Sequence, residues 1–591
     1  MADNEYGYLS SSAPDSQGMA KTIKLKWSGL NLTNTIESGE LSDCNNISTD
    51  EAPYLTPCPR PVVVKSNSDS VGIPLGIHSL KGYMFILYIG FASGYPGEGE
   101  AAKMNLKYTL QKIKFPKTVS GELQTVVSKE VEYTDGDELY CSFNDELWDS
   151  SVPVSDMLDE LYKVHINTGS AMVNFASYEN KEITNPPVYT LIISPVVKQN
   201  RDSNLTLSDK QNGKVGDIDK FEYYDMMAVD VDSLKFSKIL SHTSAEKSFF
   251  PYLTVSQSRL FGAGDVAVGA SGYMNYGNWT TDLDYKTATQ DGYGANHAWI
   301  STLQSNNHTF NGDVTAIAAY NGKTIAFKAD AMYEIVNTKN PFRIMDVFEI
   351  GCIDNRSVQV VNGMLFFASE DGIYIYTGGK PQCISQKLNI KRITSAVAGT
   401  DEKKYYLSTI YTDRRNVEQR IIFVYDTTVG AWTKQSYCGN IVSMTYMDGN
   451  LFGITYDSHL YKLNTEDYKE QEWFAETDIS LTDTNGNYTV MPKRINKLRF
   501  LAELDAGSSL EVSVIGADED YKEDILCKKT YFNDSEETKR IPIRLNIRKK
   551  ADYGFKVRVS GVGYAKVYSM EISYTDGGAL DVTDREGISK A

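Results

Sequence analysis

The feature that most constrains this chain is a recurring unit made of a short apolar run, an Asn-Gly or Asp-Gly dipeptide, and a second apolar run. It reads Val314–Tyr320, Asn321-Gly322, Lys323–Lys328; then Ser357–Val361, Asn362-Gly363, Met364–Ala368; then Ile441–Met447, Asp448-Gly449, Asn450–Thr455. Asn-Gly and Asp-Gly supply the positive φ angles of a type I′ turn, whose twist matches two antiparallel strands, so each unit starts as a hairpin. The turn glycines 322 and 363 stand 41 residues apart, and 363 to 449 is 86, which is two intervals of 43. A polar turn and an aromatic run follow each hairpin. Tyr333, Tyr374 and Tyr461 lie 11, 11 and 12 residues past their turn glycines, so a third strand keeps the same register.

A hairpin plus an added strand at a period of about 40–45 residues is the signature of a β-propeller blade. The copy missing between 363 and 449 fits Lys403–Tyr437, with strands at Tyr405–Ile410 and Arg420–Tyr425, a turn at Asp426–Gly430 and then Ala431-Trp432-Thr433. Unrelated hairpins in a β-sandwich would explain each unit singly but not the shared interval. The expected fold class is mainly β: a β-propeller of five to seven blades with an inserted domain and a C-terminal β-sandwich.

Composition agrees. A length of 591 residues exceeds what one core usually holds, aromatic content is 11% with 39 tyrosines, and 3.6-period apolar stripes are scarce. The net charge of −18 argues against a phosphate-gripping surface, since that affinity comes from clustered Lys and Arg. Acidity also simply keeps a large β protein soluble.

Cys44, Cys58, Cys141, Cys352, Cys383, Cys438 and Cys527 are spread singly, without a zinc-ligand spacing, and their odd number speaks against a full disulfide framework. Met1–Gln17 has neither a basic n-region nor an apolar h-region, and the longest apolar stretch, Tyr83–Ile89, is too short to span a bilayer. These features predict folding in a reducing cytosol.

Residues 1–70 are expected to form an extended N-terminal arm, because Pro53, Pro57, Pro59 and Pro61 stand too close together for a central strand. Residues 71–470 are assigned to the propeller, with Gly76–Ile89 as a first hairpin turning at Lys81-Gly82 and an insertion at about 91–160 where the period is lost. Leu161–Ile166 and Val188–Ile193 read as strands again. Residues 471–591 form the sandwich, with period-2 strands at Lys497–Leu501, Ser509–Ile515, Phe555–Val559 and Lys566–Tyr574.

Phe249–Asp265, Ser271-Gly272-Tyr273, Asn278-Trp279, the stretch Gly312–Gly379 ending Asp371-Gly372-Ile373-Tyr374-Ile375-Tyr376, and the Asn-rich and Pro-Arg-Pro segment Leu41–Pro61 carry a resemblance. Together with the C-terminal region they resemble the tail hub or nozzle proteins of short-tailed bacteriophages, also called DNA-stabilisation or muzzle-like proteins. The resemblance implies a virion tail protein, assembled in the host cytoplasm as a homo-oligomeric ring, sixfold in that family. Such a ring would dock to a portal-proximal ring or adaptor and to tail fibres or spikes. Genomic DNA would pass through its channel without specific binding, and acidic walls would let the DNA slide.

Enzymatic readings stand beside this, since propellers also host glycosidases, which need two carboxylates flanking a glycosidic bond. Ser369-Glu370-Asp371-Gly372 lacks the full spacing of a sialidase Asp-box and is explained as a turn. Asp225, Asp230 and Asp232 form a weak cation candidate on a strand face. His78, His165, His242, His297, His308 and His459 are scattered, and Gly262-Ala263-Gly264 leads into a strand rather than a helix, so no phosphate loop is expected. Tyr273, Tyr276, Trp279, Tyr285 and Tyr293 could dock a sugar or a partner, or could pack a loop. No residue is assigned a catalytic, cofactor-binding or metal role. The alternative function is a carbohydrate-binding or glycosidase-type propeller acting on the host surface.

Overall fold

The computed structural model describes residues 21–33, 36–37, 39–66, 72–91, 106–115, 127–134, 171–180, 188–197, 222–223, 226–239, 250–264, 267–279, 298–303, 313–336, 342–479, 492–518, 520, 522–547 and 552–576. Among the described residues seven antiparallel four-stranded paths form the propeller. Blade 1 is Ile73–Leu80, Tyr83–Phe91, Leu106–Lys114 and Val127–Thr134; blade 2 is Ala171–Asn180, Val188–Val197, Met227–Asp230 and Phe236–Lys238. Blade 3 is Tyr252–Ser256, Arg259–Gly264, Ala267–Ala270 and Trp299–Thr302; blade 4 is Val314–Tyr320, Lys323–Lys328, Met332–Val336 and Arg343–Phe348. Blade 5 is Gln359–Val361, Met364–Ser369, Gly372–Tyr376 and Gln382–Cys383; blade 6 is Ile390–Thr400, Lys404–Asp413, Glu418–Asp426 and Ala431–Gln435. Blade 7 takes three strands from Ile441–Met447, Asn450–Thr455 and His459–Lys462, and its outer strand, Val62–Ser66, from the N-terminal arm.

The hairpin turns are where the sequence places them. Asn321 and Gly322, Asn362 and Gly363, and Asp448 and Gly449 all have positive φ, between 47° and 82°. Gly322 has φ +75° with nothing near the position of a Cβ, so Gly322→Ala is expected to cost about 1–2 kcal/mol through the backbone alone. Urea unfolding measures it; an unchanged midpoint would remove the turn argument. Among blades 4 to 7, blade 6 is the copy without the dipeptide: its inner strand Ile390–Thr400 precedes the expected start at Lys403, and Asp401–Lys403 closes the hairpin, with Glu402 at φ +76°. Leu106–Lys114 and Val127–Thr134 lie within the stretch expected to be an insertion, yet they are the two outer strands of blade 1. Their polar alternation hid them from an apolar-run reading. Leu161–Ile166 lies outside the described residues.

Apolar side chains pack between successive blades around the whole circle, and the inner strand of blade 7 packs against that of blade 1. Each inner strand has one free edge whose N–H and C=O groups need partners. Neighbouring blades supply many of them. The Leu253 N–H donates to Asn174 Oδ1 (3.4 Å), the Ala319 N–H to Thr254 Oγ1 (3.1 Å) and the Ile317 N–H to Asn355 Oδ1 (3.0 Å). Gln359 Nε2 donates to the Ala398 carbonyl (3.2 Å) and Ser79 Oγ to that of Tyr446 (2.6 Å).

The sandwich has two five-stranded sheets. In the first, Lys21–Leu25, Met570–Asp576, Lys493–Leu504 and Lys539–Asn546 lie side by side, with Ala565–Val567 also on Lys493–Leu504. In the second the order is Asp43–Asn45, Glu472–Asp478, Gly554–Val562, Ser509–Ala517, Glu523–Phe532. The arm therefore supplies an edge strand to both sheets as well as closing blade 7, so it is built into three sheets rather than laid over a surface. The expected strand Lys566–Tyr574 is two strands, broken at Tyr568 and Ser569.

One core runs through the arm (Leu25, Trp27, Leu30, Leu41, Cys44, Ile47, Leu55), blades 5 and 6, and the sandwich interior. Buried or bridging carboxylates pin the arm from both sides. Glu40 takes the ammonium of Lys387, Asp50 that of Lys404 (2.6 Å), Asp426 the Thr49 hydroxyl (2.6 Å), and Glu51 both Lys566 and the Tyr564 hydroxyl (2.5 Å). Burial alone would raise Glu40, Asp50 and Asp426, but their donors outweigh it; at Glu51 the Lys566 and Tyr564 donors dominate outright, and all four are held below their ordinary values. A depressed folded value means that the contribution is complete above the unfolded value and is lost as pH falls through the folded one. The arm is therefore expected to loosen below about pH 4.5, the ordinary value of the two glutamates. Amide exchange at Asn46 and Cys58 reports it; protection unchanged from pH 7 to pH 3 would contradict it.

Candidate functional site

Three places bring chemistry-bearing side chains together, and sequence order announces none of them. The first is on the inner strands of blades 1 and 2, where His78 Nε2 stands 2.7 Å from Ser177 Oγ, a pair separated by 99 residues. A serine beside an imidazole is the start of a nucleophile–base arrangement. Burial, however, pushes His78 down to about 4, and its ring stacks on Phe175 at 5.5 Å. A base so far below neutral takes a proton poorly at pH 7. Among the described residues no carboxylate orients the other ring nitrogen. The pair acts as one more link between adjacent blades.

The second place is a cavity of about 360 Å³ where the arm, blades 6 and 7 and the sandwich meet, lined among others by Asn46, Cys58, Arg60, Cys438, Tyr461 and Glu470. Its volume suits a small ligand. Arg60 is already engaged with Asp467 at 3.0 Å and Glu470 at 3.7 Å. The thiols are not nucleophiles, because burial pushes Cys58 up to about 12 and Cys438 up to about 11. The third place is the outer face of the first sandwich sheet, where Lys24, Arg494, Lys497, Arg499, Arg540 and Arg544 share one side.

The residues singled out from sequence are dispersed. Asp371 accepts from the Tyr374 hydroxyl (2.9 Å) within its turn, and Glu370 pairs with Arg392 (2.7 Å). Asp230 caps the Val231–Ser233 turn, accepting from the Ser233 N–H (2.7 Å) and hydroxyl, which with the Asp232 N–H hold it below its ordinary value; Asp225 lies outside the described residues. Among the described residues no group of three or more His, Cys, Asp or Glu side chains is placed to hold a metal ion. His459 Nδ1 lies 2.8 Å from Asp457, while His165, His242, His297 and His308 fall outside the described residues.

Gly262, with Gly269 on the neighbouring strand, makes room for a ring instead of a phosphate: a Cβ at Gly262 would come within 2.5 Å of Phe250 and one at Gly269 within 2.9 Å. Trp279 packs on that same Phe250 at 5.3 Å, Tyr276 packs edge-on to Tyr178 at 5.2 Å, and Tyr273 is exposed; Tyr285 and Tyr293 lie outside the described residues. The aromatic loop is thus core packing at Trp279 and Tyr276. Among the described residues six cysteines are free, and Cys141 lies outside them. No described helix is long and apolar enough to cross a membrane.

No family model and no curated protein matches the chain. Among solved structures it is similar to BamB from Moraxella catarrhalis, at 10% identity over 70% of this chain and 99% of that one, with a TM-score of 0.30. It is also similar to a glycoside hydrolase family 43 arabinoxylan arabinofuranohydrolase from Bacillus subtilis in complex with cellotetraose, at 8% identity over 86% and 96% of the two chains, TM-score 0.20. A third is the extracellular domain of a hybrid two component system from B. thetaiotaomicron, at 12% identity over 91% and 84%, TM-score 0.27. With likenesses this distant, the chain's own strand order carries the assignment: it is a mainly β protein whose seven-bladed β-propeller is joined to a β-sandwich.

Proposed function

We propose that this protein is a structural subunit of a ring at the distal end of a short phage tail, enclosing the channel through which the genome is retained and released. The observation that carries the reading is the clasp: one arm contributes strands to blade 7 and to both sandwich sheets and shares a single core with them. Such a body resists being pulled apart at its domain junction, which suits a component loaded by passing DNA, and the residues that resemble the nozzle family lie in the propeller, the arm and the C-terminal region. With sheets packing roughly 10 Å apart, seven blades leave an axis roughly 20 Å across before side chains fill it. A duplex would therefore run between copies rather than through one propeller.

The test is the mass of the purified protein, alone and within particles, by light scattering and negative-stain imaging. A closed ring of 66.0 kDa subunits, or ring density at a tail vertex containing this chain, is the expected result. A monomer absent from any particle and retarded on a host-polysaccharide column would replace the reading with a carbohydrate-binding propeller. If acidic walls ease DNA passage, replacing channel-facing Asp and Glu by Lys slows release in an ejection assay. Unchanged kinetics would remove that part.

A further inference from the structure

We infer that the outer face of the first sandwich sheet is a self-assembly surface, docking on the carboxylate-rich surface of a second copy of this chain; this rests on the ring reading and names the contact that would build it. The face follows from strand register. In Lys493–Leu504 the residues Ile495, Leu498, Phe500, Ala502 and Leu504 are buried, which turns Arg494, Lys497, Arg499, Leu501 and Glu503 outward. In Lys539–Asn546 the buried Ile543 and Leu545 turn Arg540, Pro542, Arg544 and Asn546 the same way. The register then sets Lys497 against Asn546, Arg499 against Arg544, Leu501 against Pro542 and Glu503 against Arg540. On the other side Arg499 lies against Glu571, which lies against Lys24 of the arm.

Seven cations thus share the face, Lys566 included, with Glu503, Glu571 and the arm's Glu51. Glu571 engages Arg499, Glu503 engages Arg540 at 2.5 Å and Glu51 engages Lys566, leaving Lys24, Arg494, Lys497 and Arg544 in excess among the described residues. Arg499 and Arg544 stand directly opposite, a pairing that a sheet disfavours in isolation. The second sheet of the same sandwich is an internal contrast. Its outward Lys528 meets Glu511 at 2.7 Å, Lys556 meets Glu523 at 2.8 Å and Glu476 at 3.5 Å, and Arg558 lies 3.7 Å from Glu476. One face is neutralised within the subunit and the other is not.

A chain with net charge −18 offers its own copies abundant carboxylate surface, and arginine binds carboxylates in bidentate fashion. Leu501 and Pro542 give the patch a small apolar centre inside the charged rows. A contact of basic face on acidic face is heterologous, the kind that closes into rings. A nucleic acid is the poorer occupant, because the outward positions of Lys493–Leu504 and Lys539–Asn546 carry no aromatic for base stacking and the overall field of the chain repels a polyanion.

The experiment compares the full chain with its Arg494→Glu, Lys497→Glu, Arg544→Glu triple variant by light scattering at about 50 mM and about 500 mM salt, where screening of exposed charges differs severalfold. The expected result is that the parent assembles at low salt and falls toward 66.0 kDa at high salt, while the variant stays near 66.0 kDa throughout with an unchanged circular dichroism spectrum. A Gln triple at the same positions guards against misfolding and should assemble more weakly than the parent. If the charge-reversed variant assembles like the parent, the ring stands on another face and the inference is overturned. If the parent is monomeric at both salts, self-docking through this face is overturned, whereas the ring reading falls only if particles also show no ring containing this chain. If the parent stays monomeric but binds a labelled DNA duplex that the variant does not, the face belongs to a polyanion and self-docking is overturned.

Discussion

A chain beginning at residue 67 is expected to be insoluble or to elute as aggregate. Deletion of the arm removes Val62–Ser66 from blade 7, leaving His459–Lys462 as an outer strand with an open edge. It also strips one edge strand from each sandwich sheet. Unpaired edges template association with other chains. The core loses Leu25, Trp27, Leu30, Leu41, Cys44, Ile47 and Leu55. At about 1.5–3 kcal/mol for burying each large apolar side chain, the loss is comparable with the whole net stability of about 5–15 kcal/mol typical of a domain. Size-exclusion chromatography decides it, and residues 21–66 supplied as a separate peptide should restore part of the soluble fraction. A truncated chain that is monomeric and melts like the parent would refute the clasp as a folding element.

The second large effect is at Trp432. Its indole is buried in the last strand of blade 6, 4.9 Å from the Tyr425 ring and 6.0 Å from that of Phe423. The indole N–H donates to the Ile384 carbonyl at 2.8 Å, and the Trp432 carbonyl accepts from the Leu30 N–H of the arm at 2.8 Å. One residue thus joins blade 5, blade 6 and the arm. Trp432→Ala should cost about 3–5 kcal/mol by leaving a cavity too rigid to collapse. Trp432→Phe keeps most of the apolar contact but leaves the half-buried Ile384 carbonyl without its donor, costing about 1 kcal/mol. Urea denaturation monitored by near-ultraviolet circular dichroism should rank the variants parent, Phe, Ala. Equal midpoints would mean that the junction is not continuous with the core.

How much of this was legible depends on range. Asn321-Gly322, Asn362-Gly363 and Asp448-Gly449 are local signals, because the positive φ they require is a property of the residues themselves. The outer strands of blade 1 carried no such mark, since Lys107, Lys112 and Lys114 interrupt the apolar run. The sandwich strand Glu523–Phe532 is illegible for the same reason, since this edge strand keeps polar groups on both faces, whereas Lys539–Asn546 does alternate Ile541, Ile543 and Leu545 with polar neighbours and is short of apolar residues only on its outer face. The prolines near 53–61 correctly excluded a central strand. They could not reveal that Asp43–Asn45 and Val62–Ser66 on either side pair with strands more than 390 residues away.

By itself the sequence determined the β class, the blade period, the hairpin turns and the placement of a sandwich after the propeller. All of these follow from side-chain alternation and from backbone preferences that act within about ten residues. Tertiary structure alone decided that the propeller closes at seven blades, that the arm is shared among three sheets, and which face of the sandwich keeps its cations unneutralised. Those outcomes depend on which distant strand completes an open edge and in which register, and a shift of one residue would turn Arg494, Lys497 and Arg544 inward.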